Sequence, residues 1–220
     1  MMPLRRFQIH QPKTVKEAAE MLSHYGENGR LYAGGTELLL AMKHNLLRYE
    51  HLVDVKELPG LNTIETRNNS LRIGTTVTHR AIEKSAAVRD IVPVLADMAH
   101  HVANVRVRAT GTLGGNLCFA EPHSDPATLL VALGAKAHVQ GKSGTRSVTI
   151  DKLITGAYET VLANDELLAG SKSQVERQLG DAAEALAQAA EPVDDLEGSA
   201  EYKRHLIGVF LKRAFIKALA

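Results

Sequence analysis

Two glycine pairs are the residues of this sequence best suited to hold an anion. One pair lies in residues 33–38, Ala-Gly-Gly-Thr-Glu-Leu, and the other in residues 112–116, Thr-Leu-Gly-Gly-Asn. Because glycine has no Cβ, the backbone N–H groups of such a pair can approach an anion closely, and Thr36, Thr112 and Asn116 can add hydrogen bonds. Neither segment contains Lys or Arg, so the pattern predicts a diphosphate held by amides rather than by countercharges. The alternative for each pair is a turn that needs a positive φ angle, and the spacing alone does not decide between them.

Other phosphate-binding patterns are incomplete. Gly141-Lys142-Ser143 ends like a P-loop, but Lys136 stands where that motif requires a glycine. The glycines of residues 111–115 also lack the G-x-G-x-x-G order of a Rossmann dinucleotide site. The two glycine pairs therefore remain the main candidates.

No set of side chains forms a familiar catalytic or metal-binding motif. His100 and His101 are adjacent, so they face different sides of a helix, and no H-E-x-x-H pattern accompanies the ten histidines. The His-Ser-Asp run ending at Asp125 has no G-x-S-x-G elbow, so we interpret its last two residues as a helix cap. Cys118 lacks an activating neighbour and is predicted to be a small packed residue. Such a chain suits cofactor binding better than substrate chemistry.

The composition excludes several classes of protein. The 220 residues are 45% hydrophobic and 23% charged, which excludes a disordered or fibrous chain. The 26 Lys and Arg balance 25 Asp and Glu, and aromatic residues make up 4%, so no nucleic-acid surface is expected. The single cysteine excludes a disulfide framework and fits a reducing compartment. No apolar run reaches the roughly 20 residues of a membrane span, and no secretory signal is recognisable, so a soluble cytoplasmic protein is predicted.

The hydrophobic pattern predicts that residues 1–55 form a small α/β lobe. Its predicted elements are strands at 5–10, 31–33 and 52–55, a helix opened by Thr14 and ended by Gly26, and a second helix capped by Thr36 that runs to His44. Thr14 and Glu17 form a capping box, in which each side chain is expected to bond the backbone amide of the other residue.

Residues 56–170 are predicted to form a second α/β lobe. Its predicted elements are a strand at 71–74, helices at 78–84 and 90–102, a Gly/Thr loop at 109–116, a helix from Asp125 to about Gly134, and a hairpin of strands 136–140 and 147–150. The tail, residues 171–220, is predicted to be a helix at 173–190, an acidic linker and a last amphipathic helix edged with Lys and Arg. The predicted fold class is therefore α+β.

Six motifs occur in an order that resembles a known family. They are Phe-x-Ile-His-x-Pro-Lys-Thr-Val-Lys-Glu-Ala from Phe7, Ala-Gly-Gly-Thr-Glu-Leu-Leu from Ala33, His-Leu-Val-Asp-Val from His51, Ile-Gly-Thr from Ile73, Thr-Leu-Gly-Gly-Asn-Leu from Thr112 and Asp-Glu-Leu-Leu from Asp165. Together they resemble the FAD-binding medium subunit of molybdenum hydroxylases, a group that includes the flavoproteins of carbon monoxide dehydrogenase and bacterial xanthine dehydrogenase. The resemblance covers residues 5–168, and the tail from Gly198 is similar to the closing segment of that subunit.

The resemblance implies a PCMH-type FAD-binding fold with FAD between the first two lobes. It implies that two loops cradle the diphosphate, that Asp125 hydrogen-bonds the cofactor and that Leu167 packs near the flavin ring. It implies no catalytic or metal-binding residue on this chain. The implied cofactor-binding residues are Leu31, Tyr32, Ala33, Gly34, Gly35, Thr36, Glu37, Leu38, Thr112, Leu113, Gly114, Gly115, Asn116, Asp125 and Leu167.

The sequence departs from the family after Asp165-Glu-Leu-Leu. The family continues there with the rest of the flavin lobe and the antiparallel sheet of a third lobe, whereas this sequence passes from Gly170 almost directly to predicted helices. We therefore expect a reduced, mostly helical C-terminal lobe that lacks those strands, and the alternative is an internally shortened form of the subunit.

The function that the resemblance implies is electron transfer. Substrate is oxidised at a molybdenum cofactor on a large subunit, electrons pass through two [2Fe-2S] clusters on a small subunit, and FAD on this chain delivers them to an external acceptor. A single cysteine cannot hold those clusters, and the implied assembly is a dimer of heterotrimers. The alternatives are a flavin-free scaffold or assembly protein of the same fold and a self-contained PCMH-type flavin oxidoreductase. Bound flavin tests the first alternative, and co-purifying subunits test the second.

Overall fold

A computed structural model describes residues 4–67 and 70–174 as a mixture of strands and helices. The strands are β1 (Gln8–His10), β2 (Gly29–Tyr32), β3 (His51–Asp54), β4 (Ile64–Arg67), β5 (Ser70–Ile73), β6 (Lys136–Gly141), β7 (Gly144–Thr149), β8 (Ile154–Gly156), β9 (Glu159–Thr160) and β10 (Leu167–Gln174). The helices are α1 (Val15–Tyr25), α2 (Leu38–Lys43), α3 (His79–Lys84), α4 (Ala86–Ile91), α5 (Pro93–His101), α6 (Val105–Thr110), α7 (Leu113–Phe119), α8 (Asp125–Ala132) and α9 (Ile150–Leu153).

The first lobe is a parallel three-stranded sheet, in the order β1-β3-β2, with α1 packed against it. The apolar face predicted for α1 is confirmed, because Ala18, Ala19 and Leu22 are buried. They share a core with Val53 of β3 and with Val55 just after it. The spacing of these residues on α1 therefore places one helix face on the sheet.

The start of α1 is capped almost as predicted. The Thr14 hydroxyl accepts a hydrogen bond from the Glu17 amide at 3.1 Å. The Glu17 carboxylate, however, accepts from the amide of Lys13 at 2.7 Å, so the prediction that it bonds the Thr14 amide is wrong. The carboxylate reaches one residue further back and still satisfies an amide that precedes the helix. Gly26 ends α1 at a positive φ of 53°, as predicted.

The second lobe is built on an antiparallel five-stranded sheet in the order β4-β5-β10-β6-β7. The predicted hairpin of β6 and β7 is confirmed, but its second strand begins at Gly144 instead of residue 147 and ends before Ile150. Gly141 pairs with Gly144 at the turn, so the turn is tighter than predicted. A further pair, β8 and β9, forms a separate two-stranded sheet.

The central strand β10 corrects the prediction for the start of the tail. Ser173 and Gln174 continue this strand, so a helix beginning at Ser173, directly after Gly170, is wrong. The strand is paired with β5 on one side and with β6 on the other. Hydrogen bonds to segments distant in sequence thus override the local helix propensity on which the prediction relied. The rest of the predicted tail, residues 175–220, lies outside the described residues.

The helices beside this sheet differ from the prediction at one proline. The single helix predicted for residues 90–102 is instead α4 and α5, which meet at Val92. Pro93 is the first residue of α5, and a residue that precedes proline is disfavoured in the helical conformation. The short helix predicted to begin at Thr78 is confirmed, with the Thr78 hydroxyl accepting from the Ala81 amide at 3.1 Å.

The segment predicted as a Gly/Thr loop at 109–116 is mostly helical. Helix α6 ends at Thr110 and α7 begins at Leu113, so Gly114 and Gly115 lie in the first turn of α7. The short connection includes Thr112, which forms an isolated β-bridge with Thr78.

Two hydrophobic cores meet at the start of β10. Leu167 packs into the core of the first lobe, whereas Leu168 packs into that of the second lobe. Because successive side chains of a strand point to opposite faces, this one strand fixes both lobes around the space between them.

Candidate functional site

A cavity of about 390 Å³ lies between the two lobes, within the size range of small-molecule sites. It is bounded by the end of β2 and the following loop, by the segments around α6 and α7, and by residues just before and within β10. The lining residues thus come from segments that are far apart in the sequence.

Most of the residues that the resemblance implied lie around this one cavity. Those that line it are Leu31, Ala33, Gly34, Gly35, Thr36, Glu37, Leu38, Thr112, Gly114, Gly115, Asn116 and Leu167. Those that do not are Tyr32, Leu113 and Asp125. The fold therefore brings the two glycine segments together, and their binding of a cofactor stays a prediction.

The first glycine loop presents open backbone amides. Gly35 has a φ of +69°, which turns the chain between β2 and α2. Among residues 4–67 and 70–174, no backbone or side-chain acceptor is bonded to the amides of residues 34–37. These consecutive donors can satisfy an anion.

The same loop packs closely against the other lobe. A Cβ on Gly34 would collide with the backbone carbonyl oxygen of Thr110 and with Gly111. The absence of a side chain at Gly34 therefore allows the two lobes to approach each other. The prediction that Thr36 caps α2 is wrong, because the N-cap residue is Glu37 and no side chain bonds the first turn.

The second glycine pair has its amides already occupied. The amide of Gly114 donates to the carbonyl of Thr75 at 2.9 Å, and that of Gly115 donates to the Thr112 hydroxyl at 3.0 Å. The amide of Asn116 donates to the carbonyl of Thr112 at 3.0 Å. A Cβ on Gly114 would collide with the Thr75 side chain. The inference that this pair offers its N–H groups to an anion is therefore wrong, since the fold already uses them.

The three implied residues outside the lining lie in different surroundings. Leu113 is 1% exposed and belongs to the core of the second lobe. The Tyr32 ring lies under the Lys56 ammonium, with 3.9 Å between Nζ and the ring centroid. Asp125 is exposed and is the first residue of α8.

The predicted cap of α8 is also corrected. The N-cap residue is Ser124, so Asp125 is not the cap, and no side chain makes a capping hydrogen bond. The Ser124 hydroxyl instead donates to the side-chain oxygen of Asn116 at 2.6 Å. This bond ties the start of α8 to a residue that lines the cavity.

His79 is a lining residue that the sequence did not reveal. Its side chain is 2% exposed, and Nδ1 has no hydrogen-bonding partner within the described ranges. Burial lowers the pKa of His79 to about 4, so the imidazole is neutral near pH 7. The available signal was its position just after the cap Thr78, which places it in the first turn of α3.

Cys118 also lines the cavity and is a poor nucleophile. Burial raises the pKa of its thiol to about 11, against an opposing effect of the Arg30 charge. The thiol is therefore protonated near pH 7 and does not supply a thiolate. The interpretation of Cys118 as a packed residue agrees with its contact with the core of the second lobe.

A buried carboxylate anchors the helices behind the cavity. Glu83 lies 3.0 Å from the Lys84 ammonium, 3.3 Å from His100 Nδ1 and 3.4 Å from Arg108 Nε. Hydrogen bonds from Lys84 and then from His100 hold the pKa of Glu83 at about 2. Glu83 thereby connects α3, α5 and α6 through one ionised group.

Arg108 links Glu83 to the cavity wall. Its Nη1 donates to the carbonyls of Val102 and Ala103, both at 3.1 Å. Both of these residues line the cavity, and Ala103 has a φ of +41°, which is unusual for a residue other than glycine. Arg108 therefore supports a strained part of the wall.

The described part of the chain contains neither a candidate metal-binding cluster nor a candidate membrane-spanning helix. No group of three or more His, Cys, Asp or Glu there could hold a metal ion. No helix there is both long and apolar enough to cross a bilayer.

Comparison with known families gives two matches. A family model described as the FAD binding domain in molybdopterin dehydrogenase matches residues 5–170. A second, described as the CO dehydrogenase flavoprotein C-terminal domain, matches residues 161–218, which include the part of the tail outside the described residues.

Curated relatives match over most of this chain. The carbon monoxide dehydrogenase medium chain of Hydrogenophaga pseudoflava is 34% identical over 163 residues, which are 74% of this chain and 57% of that protein. The xanthine dehydrogenase FAD-binding subunit of Escherichia coli O157:H7 is 31% identical over 160 residues, which are 72% of this chain and 54% of that protein. The chain thus spans little more than half the length of these relatives.

Solved structures match more completely. The chain superposes on a structure of carbon monoxide dehydrogenase from Hydrogenophaga pseudoflava with a TM-score of 0.86 and 27% identity, covering 99% of both chains. A reconstituted CO dehydrogenase from Oligotropha carboxidovorans gives a TM-score of 0.87 and 26% identity, again over 99% of both. These similarities confirm the predicted fold class.

Proposed function

This chain belongs to the family of FAD-binding domains in molybdopterin dehydrogenases, and we propose that it binds FAD between its lobes and passes electrons through the flavin to an external acceptor. The observation that carries the proposal is the first glycine loop, where the amides of residues 34–37 donate to no acceptor among residues 4–67 and 70–174. A row of open donors on the wall of a cavity fits a diphosphate. FAD, when bound, supplies the redox chemistry of its flavin ring.

Different segments of this chain would contact different parts of FAD. The loop from Ala33 to Leu38 would hold the diphosphate through its amides, assisted by the Thr36 hydroxyl. The second segment contributes Thr112, Gly114, Gly115 and Asn116 to the cavity lining from the other lobe. Leu167 is 1% exposed and packs into the core of the first lobe, so it would support a flat ring system from behind the apolar part of the cavity lining. Tyr32, Leu113 and Asp125 do not line the cavity, so contacts between these residues and FAD would require them to change position.

The electrons must come from a partner. We infer a small subunit with two [2Fe-2S] clusters and a large subunit with the molybdenum cofactor, assembled with this chain as a dimer of heterotrimers in the cytoplasm. The single Cys118 cannot ligate an iron–sulfur cluster. The relatives named as dehydrogenase medium chains support this arrangement.

The first test is the visible absorption spectrum of the purified full chain, followed by chromatography of any cofactor released by heat. We expect a flavin spectrum and stoichiometric FAD. A colourless chain that also refuses added FAD contradicts the proposal and favours a scaffold of the same fold.

A second test addresses the partners. The tagged chain, isolated from its own cells, should carry one companion subunit rich in iron and another that contains molybdenum. A flavoprotein that purifies alone and oxidises a substrate by itself would instead be a self-contained oxidoreductase.

A further inference from the structure

We propose that Arg30 is the countercharge of this site and pairs with a phosphate of the bound dinucleotide. The inference rests on the proposed function, and it adds a side chain to a site that the sequence predicted would use amides alone. Arg30 is the only Lys or Arg that lines the cavity within residues 4–67 and 70–174.

The charges around the cavity favour such a group. Its acidic lining residues are Glu27, Glu37 and Glu166. Glu166 is neutralised by Arg146, whose Nε and Nη2 both lie 2.7 Å from the carboxylate oxygens. The other two carboxylates would repel a diphosphate, and the guanidinium of Arg30 is the fixed positive charge that opposes them.

The position of Arg30 suits this role. It lies in β2, an edge strand that runs directly into the open amides of the first loop. Its guanidinium carbon is 5.9 Å from the ring centroid of Tyr49, another lining residue. Such a contact of a cation with an aromatic ring limits the orientations of the side chain.

The charge of Arg30 also acts on a lining residue of the second lobe. It acts on the Cys118 thiol of α7, where it lowers a pKa that burial raises. The charge of Arg30 in the first lobe therefore acts on a lining residue of the second lobe. A guanidinium can donate two parallel hydrogen bonds to one phosphate, which an ammonium cannot do with the same geometry.

Arg48 provides a matched control. It is exposed like Arg30, but its Nε donates to the side-chain oxygen of Asn45 at 3.1 Å and it does not line the cavity. Removing either charge changes the net charge of the chain equally. Only the loss of Arg30 should affect the site.

The test is a titration of the flavin-depleted full chain with FAD at low and at high KCl concentration. Arg30→Gln should raise the Kd for FAD about tenfold at low salt and flatten its dependence on salt. Arg30→Lys should recover part of the affinity, and Arg48→Gln should bind as the wild type does. ADP has the diphosphate but no flavin, so Arg30→Gln should raise the Kd for ADP by the same factor. The Kd for riboflavin, which has no phosphate, should not change.

The outcomes separate the two proposals. A wild-type chain that does not bind FAD overturns the proposed function and this inference with it. A wild type that binds FAD with an affinity independent of KCl overturns the countercharge alone, whether or not any variant folds. Equal FAD affinity of Arg30→Gln and Arg48→Gln also overturns it.

Discussion

The two glycine segments resemble each other in sequence but do different work in the folded protein. In the first, Gly35 adopts a positive φ and the amides of residues 34–37 stay open within the described ranges. In the second, Gly114 and Gly115 lie in a helical turn whose amides are bonded to Thr75 and Thr112. The first segment is half-buried at the cavity, whereas Gly114 is buried.

The comparison shows that a glycine pair can serve two different physical needs. In the first segment, the residue type permits a backbone turn that exposes donors. In the second, it permits two backbones to touch, because a Cβ on Gly114 has no space beside Thr75. The same letters therefore predict a binding loop in one place and a packing contact in the other.

The largest effect should follow from Gly114→Val. The new side chain would collide with Thr75, so we expect a loss of about 3 kcal/mol or more in the free energy of unfolding, measured by chemical denaturation. Gly115→Ala is the milder comparison and should cost less stability, because its Cβ would meet a single side-chain atom, the Thr112 hydroxyl oxygen at 2.8 Å, whereas a Cβ on Gly114 meets both the side chain and the backbone of Thr75. If Gly114→Val folded normally and lost only FAD, the packing role of this pair would be wrong.

The burial of His79 should be visible in the pH dependence of stability. The His79 amide donates to the carbonyl of Gly111, and burial lowers the pKa of this residue from 6.5 to about 4. As the pH falls from 6.5 to about 4, the unfolded chain binds the proton first, so the wild type should lose up to about 3 kcal/mol of stability. In His79→Gln this pH-dependent loss of stability should be absent, which chemical denaturation curves at a series of pH values would show. Parallel curves for the two proteins would show that His79 is not buried as described.

Gly35→Ala tests the first segment. An alanine at a φ of +69° is strained, and its Cβ would collide with the Tyr32 ring, so the loop must shift and the Kd for FAD should rise about tenfold. Gly60→Ala is a matched control, since Gly60 has a φ of +78°, an unfilled space beside it and no place in the cavity lining. Equal FAD binding by the two variants would argue against an anion site in the first segment.

The smallest effect is expected for Thr112→Ala. Its hydroxyl caps α7, so its loss should lower the free energy of unfolding by about 1 kcal/mol while the Kd for FAD changes little. Thr112→Ser retains the hydroxyl and should match the wild type in both measurements. A tenfold higher Kd for FAD in Thr112→Ala, with an unchanged free energy of unfolding, would show that the hydroxyl contacts FAD and does not cap the helix.

Local signals in the sequence predicted most of the first lobe. The Thr14 cap, the buried face of α1 and the stop at Gly26 depend on residues within a few positions of one another. Pro93 was an equally local signal, and the break at Val92 could have been predicted from it. The strand at Ser173 and Gln174 could not, because its partners β5 and β6 lie far away in the sequence.

The candidate site was predictable in part for the same reason. The motifs predicted which segments matter, and twelve of the fifteen implied residues line one cavity. None of the six motifs contains Arg30 or His79, which also line that cavity. Their positions depend on how the two lobes pack against each other.

By itself, the sequence determined the start of α1 at Thr14, its end at Gly26 and the alternation of strands and helices in the first lobe, since these depend on backbone sterics and on short-range hydrogen bonds. Only the tertiary structure decided which glycine amides stay open. A donor is open or occupied according to what lies next to it, and for Gly114 the neighbour is Thr75, nearly forty positions away.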